Sequence, residues 1–132
     1  MPIIYSLISR GTIVLSEYST TTGNFSQIAR TILQKIPQTD GKQSYIYEQY
    51  TFHYVVENRL VYLCLTDKDF DNRVAFSFLG SVQEKFSSQY QEEVFTATSN
   101  GMQSFSTQLK LMMEQFSLKS VDRIKRAQDD VE

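Results

Sequence analysis

The segment Tyr50–Phe86, YTFHYVVENRLVYLCLTDKDFDNRVAFSFLGSVQEKF, changes its hydrophobic period partway along, and that change restricts the folds open to the chain. Thr51–Val56 and Leu60–Thr66 are dense in Val, Tyr, Phe and Leu, side chains that suit a pleated, half-buried surface. Glu57, Asn58 and Arg59 between them read as a hairpin turn. From Asp71 onward the apolar positions become Val74, Ala75, Phe78, Leu79, Val82, Phe86 and Tyr90, one side of a helix with about 3.6 residues per turn. A strand pair that feeds directly into a one-faced helix calls for a sheet with helical cover.

The rest of the chain supplies that sheet. Pro2–Ser9 is apolar on both faces, with Ile3, Tyr5 and Leu7 on one and Ile4 and Ile8 on the other, as in a central strand covered from both sides. Ser9-Arg10-Gly11-Thr12 is a tight turn into a second strand that begins Ile13, Val14, Leu15. Asn24-Phe25-Ser26-Gln27 has the form of a capping box. Phe25, Ile28, Ala29, Ile32, Leu33 and Ile36 then predict a helix up to Pro37, which cannot follow a helical residue comfortably. Beyond Asp40-Gly41, Ser44–Tyr47 and Thr51–Val56 read as strands around Glu48-Gln49. After a polar connection, Gln91–Ser99, a third helix is predicted over Gly101–Leu118, with Met102, Phe105, Leu109, Met112, Met113 and Phe116 inward. The order ββαβββαα predicts an α+β fold: a five-stranded, mostly antiparallel sheet with one helix on one face and two on the other.

The chain's 132 residues accommodate one domain with a core, plus a tail. Hydrophobic residues at 41% and charged residues at 21% are the mix of a soluble globular protein. A net charge of -2 without a basic patch disfavours nucleic acid and anionic membrane surfaces as partners. Cys64 is the only cysteine, so no internal disulfide forms, which suits a reducing cytosol. The N-terminus lacks the charged region of a signal peptide, and nothing approaches the roughly 18 apolar residues of a membrane span. Asn24-Phe25-Ser26 matches a glycosylation acceptor, but a helix cap explains Asn24 better.

Few residues invite chemistry. Asp67-Lys68-Asp69-Phe70-Asp71-Asn72 opens like a calcium loop, but Asn72 stands where that loop turns on Gly and Phe78 where a Glu closes it. Its carboxylates are expected to act on the positive end of the following helix instead. His53, the only histidine, is flanked by Phe52 and Tyr54 and reads as a partly exposed sheet residue without a nucleophile or metal set around it. Cys64 reads as a small core residue. With no Gly-rich phosphate loop and no CxxC pair, neither an enzyme nor a cofactor or metal site is expected. Tyr45, Tyr47, Tyr50 and Tyr54 cluster in the middle strands, either as ordinary cross-strand packing or as an adhesive sheet edge. In the charged tail Val121–Glu132, Ile124, Ala127 and Val131 keep heptad spacing. That is barely one of the about three or four heptads that define a coiled coil, and a frayed charged helix fits equally well.

Taken together, RGTIVL (Arg10–Leu15), GNFSQIARTILQKIP (Gly23–Pro37), the block through Phe86 with its RLVYLCLTDKDF, and the tail DRIKRAQDDVE resemble the longin-domain R-SNAREs, in particular the tetanus-insensitive vesicle-associated membrane proteins of endosomes and lysosomes. The resemblance implies a profilin-like longin fold over 1–118, with 119–132 as a linker and the start of a truncated SNARE motif. Ile124, Ala127 and Val131 are then its first layer positions, and an anchor further on holds the protein on the cytoplasmic face of vesicle, endosomal or lysosomal/vacuolar membranes. It implies a regulatory domain that controls SNARE-complex assembly by folding back and that binds sorting adaptors. The groove between the first helix and the third strand takes up the chain's own SNARE motif or a segment of a trafficking adaptor, with Ile28, Ile32, Ile36, Tyr45 and Tyr47 at the matching positions. Q-SNAREs are engaged through the missing C-terminal part. Gln43 departs from the pattern, standing where relatives that use this groove often carry an apolar side chain. The competing expectation is a longin-like scaffold subunit of a tethering or coat adaptor complex.

Overall fold

In a computed structural model of the chain, residues 3–20, 23–37, 39–89 and 105–117 are described. The expected connection Gln91–Ser99, Tyr90, Met102 and the tail with Ile124, Ala127 and Val131 lie outside them. The elements run β1 (Ile3–Arg10), β2 (Ile13–Ser19), α1 (Phe25–Leu33), β3 (Gly41–Tyr47), β4 (Tyr50–Glu57), β5 (Leu60–Asp67), α2 (Asn72–Gln89) and a helix over 106–117, here α3. The sheet order is β2-β1-β5-β4-β3, and all four pairings are antiparallel.

The two central strands, β1 and β5, are buried over almost their whole length, as strands covered on both faces must be. Phe78, Leu79, Val82 and Phe86 of α2 and Phe105, Leu109 and Met113 around α3 pack over Ile3, Ile8, Tyr62 and Cys64. Ala29, Leu33 and Ile36 pack on the other face over Leu7, Phe52, Val61 and Leu63. The one-and-two arrangement of helices is therefore as expected. The Ser117 hydroxyl accepts the Ile3 N–H at 2.9 Å, which fastens the end of α3 to the first strand.

Strict alternation along β1 does not hold. The pairing of β1 with β5 shifts register between Ile3 and Tyr5, so Ile4, Tyr5 and Leu7 face α1 while Ile3 and Ile8 face α2 and α3. The turns follow from local chemistry. Asn58 (φ 53) and Arg59 (φ 67) both take positive φ, the geometry that matches the twist of a two-residue hairpin, and Gly11 (φ 60) does the same between β1 and β2 without a Cβ to clash.

The helix ends differ from expectation in instructive ways. Asn24 precedes α1, but its side chain makes no capping hydrogen bond. The first turn is instead closed by the backbone, Ile28 N–H to the Asn24 carbonyl at 3.0 Å. Regular helix stops at Leu33 rather than Ile36, and the chain tightens into i to i+3 bonds, Lys35 N–H to Ile32 and Ile36 N–H to Leu33, before Pro37. At α2 the expected carboxylate cap is present: Asp71 Oδ1 accepts the Arg73 N–H at 2.8 Å.

Candidate partner-binding groove

Helix α1 is tied to the far side of the sheet from β3. Ser26 Oγ donates to Glu17 Oε1 at 2.9 Å, Arg30 Nη2 donates to Glu17 Oε2 at 3.2 Å, and Arg30 also reaches Ser26 Oγ. Glu17 belongs to β2, at the opposite edge from β3. Held there by polar contacts on one side and by Ala29 and Leu33 beneath, α1 leaves the β4–β3 end of its face uncovered.

Register decides which side chains enter that open space. Directly paired residues of an antiparallel ladder share a face. Phe52 and Val56 of β4 pack on the α1 side, so their partners Tyr45 and Gly41 face it too, as do Gln43 opposite Tyr54 and Tyr47 opposite Tyr50. Lys42, Ser44 and Ile46 face α2. The Lys42 ammonium lies 5.4 Å from the centre of the Phe76 ring on that helix.

The space contains two clefts. The first, of about 300 Å³, lies between the start of α1 (Asn24, Phe25, Ile28) and the β3–β4 turn (Tyr47, Glu48, Tyr50), over a floor of Phe52 and Leu65. Its walls are aromatic, with Phe25 edge-on to Tyr50 at 5.4 Å between ring centres and Tyr47 edge-on to Phe52 at 6.4 Å. The second, of about 210 Å³, lies beyond the end of α1 and is lined by Pro37, Thr39, Asp40, Gly41, Lys42, Gln43, Tyr54 and Val56. Tyr54 Oη donates to Gln43 Oε1 at 3.2 Å along its wall.

Of the expected groove positions, Ile28 and Tyr47 meet across the first cleft. Ile32 is half-buried on the same helix, and Tyr45 stands on the same face, 50% exposed, as a free aromatic surface. Ile36 does not join them: at 6% exposure it is a core residue, because the tightened turn after Leu33 carries it inward. Phe25, Phe52 and Leu65 were not among the expected groove positions, and Tyr50 was anticipated only as one of the clustered tyrosines. The first lies one helical turn before Ile28, and Phe52 and Tyr50 follow from the cross-strand partners of Tyr45 and Tyr47, so the register of β3 on β4 is the signal that finds them.

The same edge strand carries a polar stitch on its other face. His53 is fully buried, a correction to its expected partial exposure, because α2 covers it with Phe76 edge-on at 5.6 Å. Thr66 Oγ1 donates to the Asp67 carbonyl at 3.0 Å, so it accepts from His53 Nε2 at 3.0 Å, and His53 Nδ1 accepts from Ser44 Oγ at 2.8 Å. Burial lowers the imidazole pKa to about 4. A hydroxyl aimed at an imidazole is half of a nucleophilic triad, but the third place holds a hydroxyl where a carboxylate is needed to steady an imidazolium. The chain of bonds joins β3, β4 and β5 as structure. Cys64 is likewise a buried core thiol, its pKa pushed up by desolvation. Among the described residues no cluster of His, Cys, Asp or Glu could hold a metal ion, and no helix is long and apolar enough to cross a membrane.

The profile of the family described as Longin, a regulated-SNARE-like domain, matches residues 15–120. The chain is 45% identical over 134 aligned positions to "Vesicle-associated membrane protein 7B" of Dictyostelium discoideum, covering all of this chain and 52% of that protein. It is 37% identical to "Vesicle-associated membrane protein 7" of Mus musculus, covering all of this chain and 61% of the mouse protein. Against "Vesicle-associated membrane protein 712" of Arabidopsis thaliana it is 40% identical over 119 positions, 89% of this chain and 54% of the plant protein. The chain thus spans about half to three fifths of the length of these relatives.

Proposed function

Because this chain belongs to the longin-domain R-SNAREs of the vesicle-associated membrane protein 7 type, we propose that its domain regulates vesicle transport by binding peptide segments in the groove between α1 and β3. The observation that carries this reading is the aromatic cleft left open beside Ile28 and Tyr47, with the exposed ring of Tyr45 two residues away along β3 on the same face. Apolar surface of this kind, rimmed by polar residues, is the form a peptide-docking site takes.

Two classes of guest compete in this reading. One is the chain's own SNARE motif, which begins in 119–132 with Ile124, Ala127 and Val131 as its first layers, and the other is a segment of a trafficking adaptor. A short tether sets an effective concentration of about millimolar, so even a dissociation constant of ~10 μM leaves the groove about 99% filled by its own segment. Fold-back then withholds the SNARE motif from Q-SNAREs, and an adaptor in the groove releases it. The domain over 1–118 acts as the switch, and the vesicle membrane is reached through an anchor that follows the SNARE motif.

The test is the rate at which a longer chain, carrying its full SNARE motif, assembles with its Q-SNAREs. Tyr45→Ser together with Tyr47→Ser strips the groove at residues exposed enough for the fold to tolerate, and assembly is expected to accelerate. An unchanged rate contradicts the proposal.

A further inference from the structure

We infer that β3 is a self-association edge: two copies of the chain pair their β3 strands antiparallel about a two-fold axis at Ser44, joining two five-stranded sheets into one. This goes beyond the groove reading and does not depend on it.

A strand at the end of a sheet leaves half of its peptide groups without partners, and folds usually blunt such edges with a bulge, charge, proline or cover. The two edges of this sheet are treated differently. In its pairing with β1, β2 carries an extra residue at Leu15, and its Val14, Leu15 and Ser16 are buried. The β3 edge has neither device. Its register with β4 runs unbroken from Gly41 to Tyr47, none of its residues is buried, it contains no proline, and its one charge, on Lys42, is drawn over Phe76. Tyr45, Ile46 and Tyr47 stand exposed in succession, with Tyr45 and Tyr47 on the α1 side and Ile46, at 73% exposure, on the α2 side. A guest lying between α1 and β3 leaves Ile46 bare. Apolar side chains on both faces of an open edge are covered together only by another strand laid beside it.

The strand that fits is β3 itself. Tyr47 and Tyr50 flank the two-residue turn and so exchange the ladder bonds that close the β3–β4 hairpin. By alternation Gln43 and Tyr45 also aim their N–H and C=O groups at β4, while Lys42, Ser44 and Ile46 aim theirs outward. Among the described residues, nothing bonds to those outward groups. With the axis at Ser44, the outward residues pair Ser44 with Ser44 and Lys42 with Ile46, and all of them bond, roughly six main-chain hydrogen bonds; sliding one copy by two residues keeps roughly four. The side chains match in the same register. On the α2 side the methylene stem of Lys42 lies beside Ile46 of the second copy. On the α1 side Tyr45 stands opposite Gln43, and the Tyr47 ring falls over Gly41, where nothing lies within 4 Å of the place a Cβ would take.

One strand pairing is a small interface, so the 132-residue chain is expected to pass from monomer to dimer with a dissociation constant of about 0.1 mM when sedimentation equilibrium is followed up to about 1 mM. With rising concentration the amides of Lys42, Ser44 and Ile46 should gain exchange protection, while those of Gln43 and Tyr45, already bonded to β4, change little. Ile46→Lys sets like charges against Lys42 on both sides of the axis and is expected to weaken the dimer ~5-fold or more. Adding Lys42→Glu turns those contacts into opposite charges and should restore it, a rescue that damage to the fold would not give. Ile13→Lys, at an exposed position of the other edge strand, should leave the dimer unchanged. A chain that stays monomeric throughout overturns the inference, as does a dimer that survives Ile46→Lys or is lost with Ile13→Lys. Full protection of Lys42, Ser44 and Ile46 in the monomer places a segment of the same chain on the edge and overturns it too. None of these results bears on whether stripping Tyr45 and Tyr47 accelerates SNARE assembly, so the groove reading stands or falls separately.

Discussion

At the scale of single residues, His53 shows how a position that looks ordinary in sequence becomes a constraint in the fold. Its flanking Phe52 and Tyr54 suggested partial exposure, but burial depends on α2 arriving from far along the chain, which no local pattern around His53 encodes. The buried neutral ring has consequences for acid stability. Its folded pKa of about 4 lies below the unfolded value of 6.5, so between those values the unfolded chain binds the extra proton. The contribution is complete above about pH 6.5 and is lost as the pH falls toward 4. Urea unfolding followed from pH 7 to pH 5 should show a loss of about 2 kcal/mol from this group, and His53→Leu should flatten that part of the profile. A wild-type stability that does not fall over this range contradicts the burial of a neutral ring. Tyr45 and Tyr47 are the opposite case: their clustering was legible in the sequence, while their exposure depends on where α1 ends and on the polar contacts of Glu17 that hold it away.

At the scale of elements, periodicity located every described strand and helix, because apolar spacing records which face each element buries. The boundaries and phases were less legible. The register shift between Ile3 and Tyr5 exchanges the faces of Ile3 and Ile4 relative to the alternation that Tyr5, Leu7 and Ile8 keep, since an extra residue in one strand changes the faces of its neighbours without changing composition. Asn24 and Asp71 both carry side chains suited to capping, yet only Asp71 accepts a first-turn N–H. Asp71→Ala is therefore expected to lower stability by about 1 kcal/mol, the usual worth of a cap. Asn24→Ala is expected to stay within about 0.5 kcal/mol. Equal losses, measured by thermal or urea unfolding, contradict the difference between the two helix starts. Phe78 lies fully buried between the sheet and α3, edge-on to Phe116, and Phe78→Ala is expected to cost about 3–5 kcal/mol and to loosen α3 with it.

At the scale of the whole molecule, the sheet is closed on one face by two helices and only partly closed on the other by one. Three layers and their order were legible because an apolar strand with two faces, β1, needs cover on both. Which end of the α1 face stays open was not, because it depends on tertiary polar contacts between α1 and β2. Ile28, Ile32, Tyr45 and Tyr47 stand on the α1 side of the sheet and Ile36 lies in the core, the arrangement on which the proposed docking of a guest segment rests. Amide exchange compared between this chain and a longer one carrying its complete SNARE motif tests that account most directly. Protection gained along Phe25–Leu33 and Gly41–Tyr47 in the longer chain is the predicted result. Identical exchange over those two segments, with the SNARE motif present and unpaired, contradicts it.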